Sequence, residues 1–456
     1  MHGHLDPKRS ARRKSAERQT TMEFSKSNEL SARLRRLVPG GAQTYAKGED
    51  QFPSGMAPVI VRGSGSHVWD ADGNEYIEYG SGLRAVTLGH AFPPVIDAVG
   101  AQLPLGSNFI RPARIELECT EQFLQLVPTA DMVKFCKDGS DATSGAVRLA
   151  RAATGRDFVA RCGSQPFFSV DDWFIGTTPM TAGIPAAVRD LTLTFQYDDL
   201  AGLAALFDSH HGQVAAVILE AEKETPPADG FLAGVRELCD RNGTVLILDE
   251  MITGFRWHNG GAQAFHGITP DLSCFGKALA NGFSVSALAG RGDLMRLGGF
   301  DHDQERVFLL STTHGGETHA LAAAIATMHI YEKEDVIGTL WARGKRLAEG
   351  ITAAARREDV AEQVPILGRP CCLVFGSRDR DGSPSQPYRT LLMQELIKRG
   401  VLASSLVVGY SHSEADIDYT INAFAEALRI YRRALEDGVE KYLIGRPVKP
   451  AFRRFA

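Results

Sequence analysis

Residues 243–255 read GTVLILDEMITGF, and the fold turns on how residues 245–248 are placed. Four successive apolar residues without polar alternation describe a strand covered on both faces, as in a parallel sheet flanked by helices. The run stops abruptly at Asp249 and Glu250, with Thr253 and Gly254 just beyond. In open α/β sheets, ligands gather outside the carboxyl ends of the strands. Two acids at such an end therefore raise the question of what they face.

Working outward, the segment FLAGVRELCDRNG (231–243) has helical spacing, and VAAVILEAE (214–222) is a second apolar strand ending in an acid. MVKFCKDGSDATSGAVRLARAAT (132–154) is a strand followed by a helix. Strands alternating with helices predict an α/β fold with a mostly parallel sheet, here assigned to a large domain over residues 96–335. Before it, HVWDADGNEYIEYGSG (67–82) carries the Asp-Gly punctuation of antiparallel hairpins, after a helix in SNELSARLRRLV (27–38). Residues 22–95 are assigned to the N-terminal part of a small α+β domain. Residues 336–456 complete it with CCLVFGS (371–377) and the long helix SEADIDYTINAFAEALRIYRRAL (413–435). Residues 1–21 are polar and basic and read as a disordered tail.

The 456 residues, 44% hydrophobic and 23% charged, suit a large globular enzyme. A net charge of -5 argues against a nucleic-acid platform. No apolar run is long enough to span a membrane. The seven cysteines lack zinc-like spacing and read as reduced thiols, which predicts a cytoplasmic protein.

An apolar strand ending in Asp-Glu also describes the metal-binding strand of an ATPase. That chemistry requires a G-x-x-x-x-G-K-[ST] phosphate loop, and the nearest candidate fails: Asp271 stands where its first glycine should be, and Ala278 follows Lys277. A second chemistry fits better. Pyridoxal phosphate needs a lysine for its aldehyde, a carboxylate to keep its ring nitrogen protonated, and helix-start amides for its phosphate. Lys277, 28 residues after Asp249, supplies the first and Asp249 the second. Gly139 and Ser140, opening a helix after the strand MVKFC, supply the third.

Ordered stretches over most of the chain carry a resemblance. They include WDADGNEYIEY (69–79), LGHAFPPVIDAV (88–99), DGSDATSGAVRLARAATGRD (138–157), GFLAGVRELCDRNGTVLILDEMITGFR (230–256), GGAQAFHGITPDLSCFGKALANG (260–282) and HSEADID (412–418). In these the chain resembles the class III, fold type I pyridoxal-phosphate aminotransferases, and within them the glutamate-1-semialdehyde aminomutase branch. The resemblance implies that Lys277 binds the cofactor aldehyde and shuttles protons, and that Asp249 pairs with the ring nitrogen. It implies further that Met251 lies on one ring face, Glu220 near the ring hydroxyl, and Gly139 and Ser140 at the phosphate. Thr313, in LLSTTHGGETHA (309–320), matches a threonine sent to that phosphate from the other subunit, which implies a homodimer with shared active sites. Glu250 is expected to cap or pair structurally.

Three departures bear on the substrate. Gln165, Pro166 and Phe167 stand where the family has Tyr-His-Gly, so Phe167 or Phe168 is expected to stack on the cofactor. GSGLRAVT (80–87) and GGAQTYAKG (40–48) replace the aminomutase's Trp- and Arg-bearing segments. They place Arg84 as a new cation at the pocket mouth, a carboxylate or phosphate clamp or else one side of a structural ion pair, with Gln43, Tyr45 and Lys47 on a facing segment. ASSLVVGYSHSEAD (403–416) is shorter than the aminomutase loop, leaving Ser404, Ser405, Tyr410 and a structural His412. The reading that follows is ping-pong transamination from an amino-acid donor to a keto-sugar or a small keto acid or aldehyde. Intramolecular transfer of the aminomutase type is the alternative, and a non-catalytic cofactor-binding dimer is the remote one.

Overall fold

The computed structural model describes residues 22–455; the basic tail expected over residues 1–21 lies outside the described residues. Three strands lie near the N-terminus: β1 (Ile60–Ser64), β2 (His67–Asp70) and β3 (Glu75–Glu78). β2 and β3 form the antiparallel hairpin expected from the Asp-Gly turn, with His67 opposite Ile77. Seven strands follow between residues 132 and 290: β4 (Met132–Cys136), β5 (Phe158–Cys162), β6 (Thr192–Phe195), β7 (Val214–Leu219), β8 (Val245–Asp249), β9 (Leu272–Phe275) and β10 (Ser286–Gly290). Beyond them lie β11 (Ile366–Leu367), β12 (Val374–Phe375) and β13 (Val401–Leu402).

β4 to β10 make one sheet in the order β4-β10-β9-β8-β7-β5-β6. Its pairings are parallel except at β10, which runs antiparallel to both β4 and β9. Val245–Asp249 is its central strand β8, and every residue of it is buried. β7 beside it is equally dry along its whole length. Both continuous apolar runs follow from helices covering the two faces, because no position faces water and none needs to be polar.

A second sheet, β1-β2-β3-β13, joins the N-terminal strands to the C-terminal segment, with β13 parallel to β3 through Val401 opposite Ile77. Leu347, Ile351, Leu391, Phe424 and Tyr431 pack a separate apolar cluster behind it. All seven cysteines are buried and unpaired. Among the described residues no helix is long and apolar enough to cross a membrane, and no His, Cys, Asp and Glu group could hold a metal.

Candidate active site

The carboxyl ends of β7, β8 and β9 converge on three ionisable side chains. Asp249 ends β8, Glu220 follows β7 directly, and Lys277 follows β9 after one glycine. Asp249 is 4% exposed and accepts one hydrogen bond, from the Met251 amide at 2.9 Å. Burial pushes its carboxyl up to about 6, although the Lys277 ammonium pulls the other way. Glu220 is equally dry, and its Oε2 has no partner. Burial, then repulsion from Asp249, raises it to about 7. Burial lowers the Lys277 ammonium, opposed by Asp249 and Glu220 and assisted by the cations of Arg84 and Arg256. Three groups with mutually dependent charge, sharing one dry site, are arranged to exchange protons.

Backbone strain fixes the lysine. Lys277 has φ +47 and Asn281 φ +45, a region disfavoured for residues with a Cβ. Asn281 holds this turn by accepting from the Leu88 amide at 2.9 Å and donating to the Gly89 carbonyl at 3.0 Å. Gly276, just before the lysine, cannot be replaced cheaply: a Cβ there would stand 2.5 Å from Ser286 Oγ and 2.7 Å from Met251 Sδ. A Cβ on Gly139 would likewise meet Met251 Sδ at 2.9 Å. Met251 thus fills the space between the lysine turn and the helix Gly139–Thr154.

That helix start is already capped. Asp138 Oδ1 accepts from the amides of Ser140 (2.9 Å) and Asp141 (3.1 Å). The Ser140 hydroxyl accepts from the Val170 amide at 3.1 Å and keeps its own proton to donate. Thr313 lies on an exposed loop, its carbonyl accepting from Asn108 Nδ2 at 2.9 Å. The loop borders a cavity of about 540 Å³ with Phe109, Lys134 and Phe135.

Arg84 lies near enough to Lys277 for its cation to help lower that ammonium. Gln43 lines a different cavity, of about 280 Å³, with Leu34, Lys47 and Phe52. Tyr45 is 58% exposed. Phe167 is 44% exposed and makes edge contact with Phe174 at 5.6 Å, whereas Phe168 is buried, with its ring edge-on to Phe174 at 5.8 Å. His412 is buried, and its Nδ1 accepts from the Gly409 amide at 2.9 Å.

Two residues were missed in the sequence. Gln165, noted only as a departure, grips the backbone of Glu220 at both ends: Nε2 donates to the carbonyl at 2.7 Å and Oε1 accepts from the amide at 2.8 Å. Arg256 is wholly buried and donates to the carbonyls of Ile252 and Arg84 and to Thr87 Oγ1. Its only sequence signal was a place at the end of a matched stretch.

A mostly parallel sheet that delivers an acid and a lysine to its carboxyl edge is the fold type I architecture of pyridoxal-phosphate-dependent transferases. The aminotransferase class-III family model matches residues 45–428, and the chain belongs to that family. It is 33% identical over 440 residues to a glutamate-1-semialdehyde 2,1-aminomutase of Roseiflexus castenholzii, covering 91% of this chain and 100% of the relative. The same enzyme of Chloroflexus aurantiacus is 32% identical over 88% of this chain and 96% of its own length. Among solved structures, the FumI protein of Sphingopyxis sp. MTA144 superposes with a TM-score of 0.82 at 28% identity, covering 90% of this chain and 97% of that one. An omega-transaminase of Sphaerobacter thermophilus does so with 0.80 at 25% identity, covering 89% and 97%. The protein is thus a pyridoxal-phosphate-dependent enzyme of amino transfer. The residues present suit that cofactor: among the described residues Glu220 Oε2 has no partner and Asp249 has only the Met251 amide, with the lysine beside them.

Proposed function

We propose that the protein moves an amino group within a small carboxylate-bearing amino aldehyde, in the manner of a glutamate-1-semialdehyde 2,1-aminomutase. The observation that carries this reading is the full-length likeness to enzymes of that name, 33% identical over the whole of one of them. That likeness favours the intramolecular alternative over transamination of a keto-sugar or a small keto acid or aldehyde, the reading expected from the sequence. A second reading, transfer from a separate donor to a separate acceptor, draws support from the likeness to an omega-transaminase at 25% identity.

When bound, pyridoxal phosphate supplies an electron sink for the carbanion formed at the substrate carbon. In this reading Lys277 would hold the cofactor through its aldehyde, and its Nζ, when free, would take a proton from the substrate carbon and return it to the neighbouring one. A lysine with a lowered pKa suits the task, since its neutral amine is the base. Asp249 would keep the ring nitrogen protonated and Glu220 would pair with the ring hydroxyl. Ser140 would donate its hydroxyl to the phosphate, which Thr313 of a second copy would also reach. The exposed apolar residues Leu105, Phe109, Ile110 and Phe308 support such a dimer, because so much bared apolar surface ordinarily marks an interface.

The test supplies glutamate-1-semialdehyde alone to the cofactor-loaded enzyme. The expected result is its isomer with the amino group on the neighbouring carbon, formed without any second substrate. No isomer, but product when L-glutamate and a keto acceptor are supplied together, would replace this reading with transamination.

A further inference from the structure

The backbone of residues Ser81–Arg84 is left-handed at four successive positions, with φ of +47 at Ser81, +58 at Gly82, +62 at Leu83 and +70 at Arg84. Only Gly82 adopts this conformation without a steric cost. Such a run persists only when its surroundings over-determine it, and these do. The Arg84 amide donates to the Gly80 carbonyl at 2.9 Å, and the Ala85 amide to the Ser81 carbonyl at 2.7 Å. Glu78 accepts from the Ser81 amide at 2.8 Å. The buried Arg256 donates to the Arg84 carbonyl at 2.7 Å and to Thr87 Oγ1 at 2.9 Å. Asn281 then ties Leu88 and Gly89 to the lysine turn. A strained loop is thereby fixed against the element that carries Lys277.

What this device presents is a guanidinium without a counter-ion. Among the described residues Arg84 enters no salt bridge, and its Nε is buried with no hydrogen-bond partner. Arg256, the other cation near Lys277, donates to three oxygens and is held as a brace. A structural ion pair, the plainer role for an arginine here, would need a carboxylate in contact, and among the described residues Arg84 has none. A planar fork of donors left open in a half-buried site matches a carboxylate. We propose that Arg84, presented by the left-handed turn Ser81–Arg84, is the carboxylate clamp that orients substrates over Lys277. It confines them to amino acids, amino aldehydes and oxo acids that carry an acid group away from the reacting carbon. The clamp deepens the amino-transfer reading and rests on it for the identity of the reacting carbon.

Calorimetric titration of the cofactor-loaded enzyme with pentanoate and with pentanamide tests this without turnover. The two probes differ only in the charge of one end. Wild type is expected to bind pentanoate at least about tenfold more tightly than pentanamide, the scale of one charge-assisted hydrogen-bonded contact. Arg84→Gly removes the guanidinium while suiting the φ of +70, so it should erase that preference without lowering Tm. Arg84→Lys should keep part of the preference. Equal binding of both probes by wild type, or an undiminished preference in Arg84→Gly, would overturn the clamp. An enzyme that prefers pentanoate but fails to transfer amino groups would overturn the amino-transfer reading and leave the clamp standing.

Discussion

Asp249 and Glu250 are adjacent at the end of one strand, and Glu220 and Glu222 are nearly so at the end of the next, yet the members of each pair live different lives. Glu250 is fully buried and fully satisfied: it accepts from Thr253 Oγ1, from the Ala262 amide at 2.8 Å and from the Gln263 amide at 2.7 Å. Glu222, also without exposure, takes both ends of Arg369 (2.5 and 3.0 Å) and His266 at 2.9 Å. Asp249 has one backbone amide, and Glu220 has an oxygen with nothing. All four are buried carboxylates at or just past a strand's carboxyl end, so the hydrogen-bond inventory is what separates brace from reagent. A buried carboxylate that is satisfied holds the fold. One left short of partners is kept for something that binds.

The largest effect should come from exchanging these roles' chemistry. Asp249→Asn is expected to cut kcat by roughly 10²–10⁴-fold, the range for losing a positioned acid–base or charge partner, with Tm nearly unchanged. Glu250→Ala should do the reverse in kind. It strands two buried amides and a hydroxyl and is expected to cost about 3–5 kcal/mol, the penalty for breaking a buried charged network, visible as a large fall in Tm. A Glu250 variant that keeps its Tm and loses turnover would erase the distinction drawn between the neighbours.

Arg369→Ala sharpens the comparison at the second pair. It leaves Glu222 buried with His266 alone, and roughly 2–3 kcal/mol of stability should be lost, on the scale of stranding a buried charge. Glu222→Gln in the same background should restore part of it. Restoration would show that the cost lies in the unpaired charge and not in lost packing.

A smaller effect, of opposite sign, is expected at Glu220. Its carboxyl is raised in the folded protein to about 7, so folding penalises the ionised form. The penalty is absent below the unfolded value near 4.5, grows as pH rises through the interval, and is complete above about 7. In cofactor-free protein Glu220→Gln should therefore raise stability at pH 8 by on the order of 1–3 kcal/mol, with the gain vanishing by pH 4.5. Melting curves at the two pH values decide it, and a gain independent of pH would show that burial of the charge is not the cause.

Much of this was legible in the chain. The dry runs of β7 and β8 announced a covered parallel sheet, and the acid ending β8 with the lysine just after β9 pointed to pyridoxal phosphate, because burial and local position are written in residue type. The antiparallel entry of β10 was not legible, since strand direction depends on a connection and not on the strand's own residues. Nor were the brace of Arg256 and the grip of Gln165 on Glu220, whose partners lie 172 and 55 residues away. The left-handed turn at Ser81–Arg84 escaped notice because only one of its four residues is a glycine. Gln43 and Tyr45 were grouped with the site because GGAQTYAKG stands where the aminomutase has its Arg-bearing segment, and in the structure Gln43 lines a cavity together with Lys47.

The central claim is that Lys277 is where this fold joins its cofactor. Borohydride reduction of the cofactor-loaded enzyme fixes the bond between lysine and cofactor, and peptide mass mapping then locates it. The account predicts the reduced cofactor on the peptide containing Lys277 and nowhere else, with no label in Lys277→Ala. Label on another lysine, or undiminished label in Lys277→Ala, would contradict it.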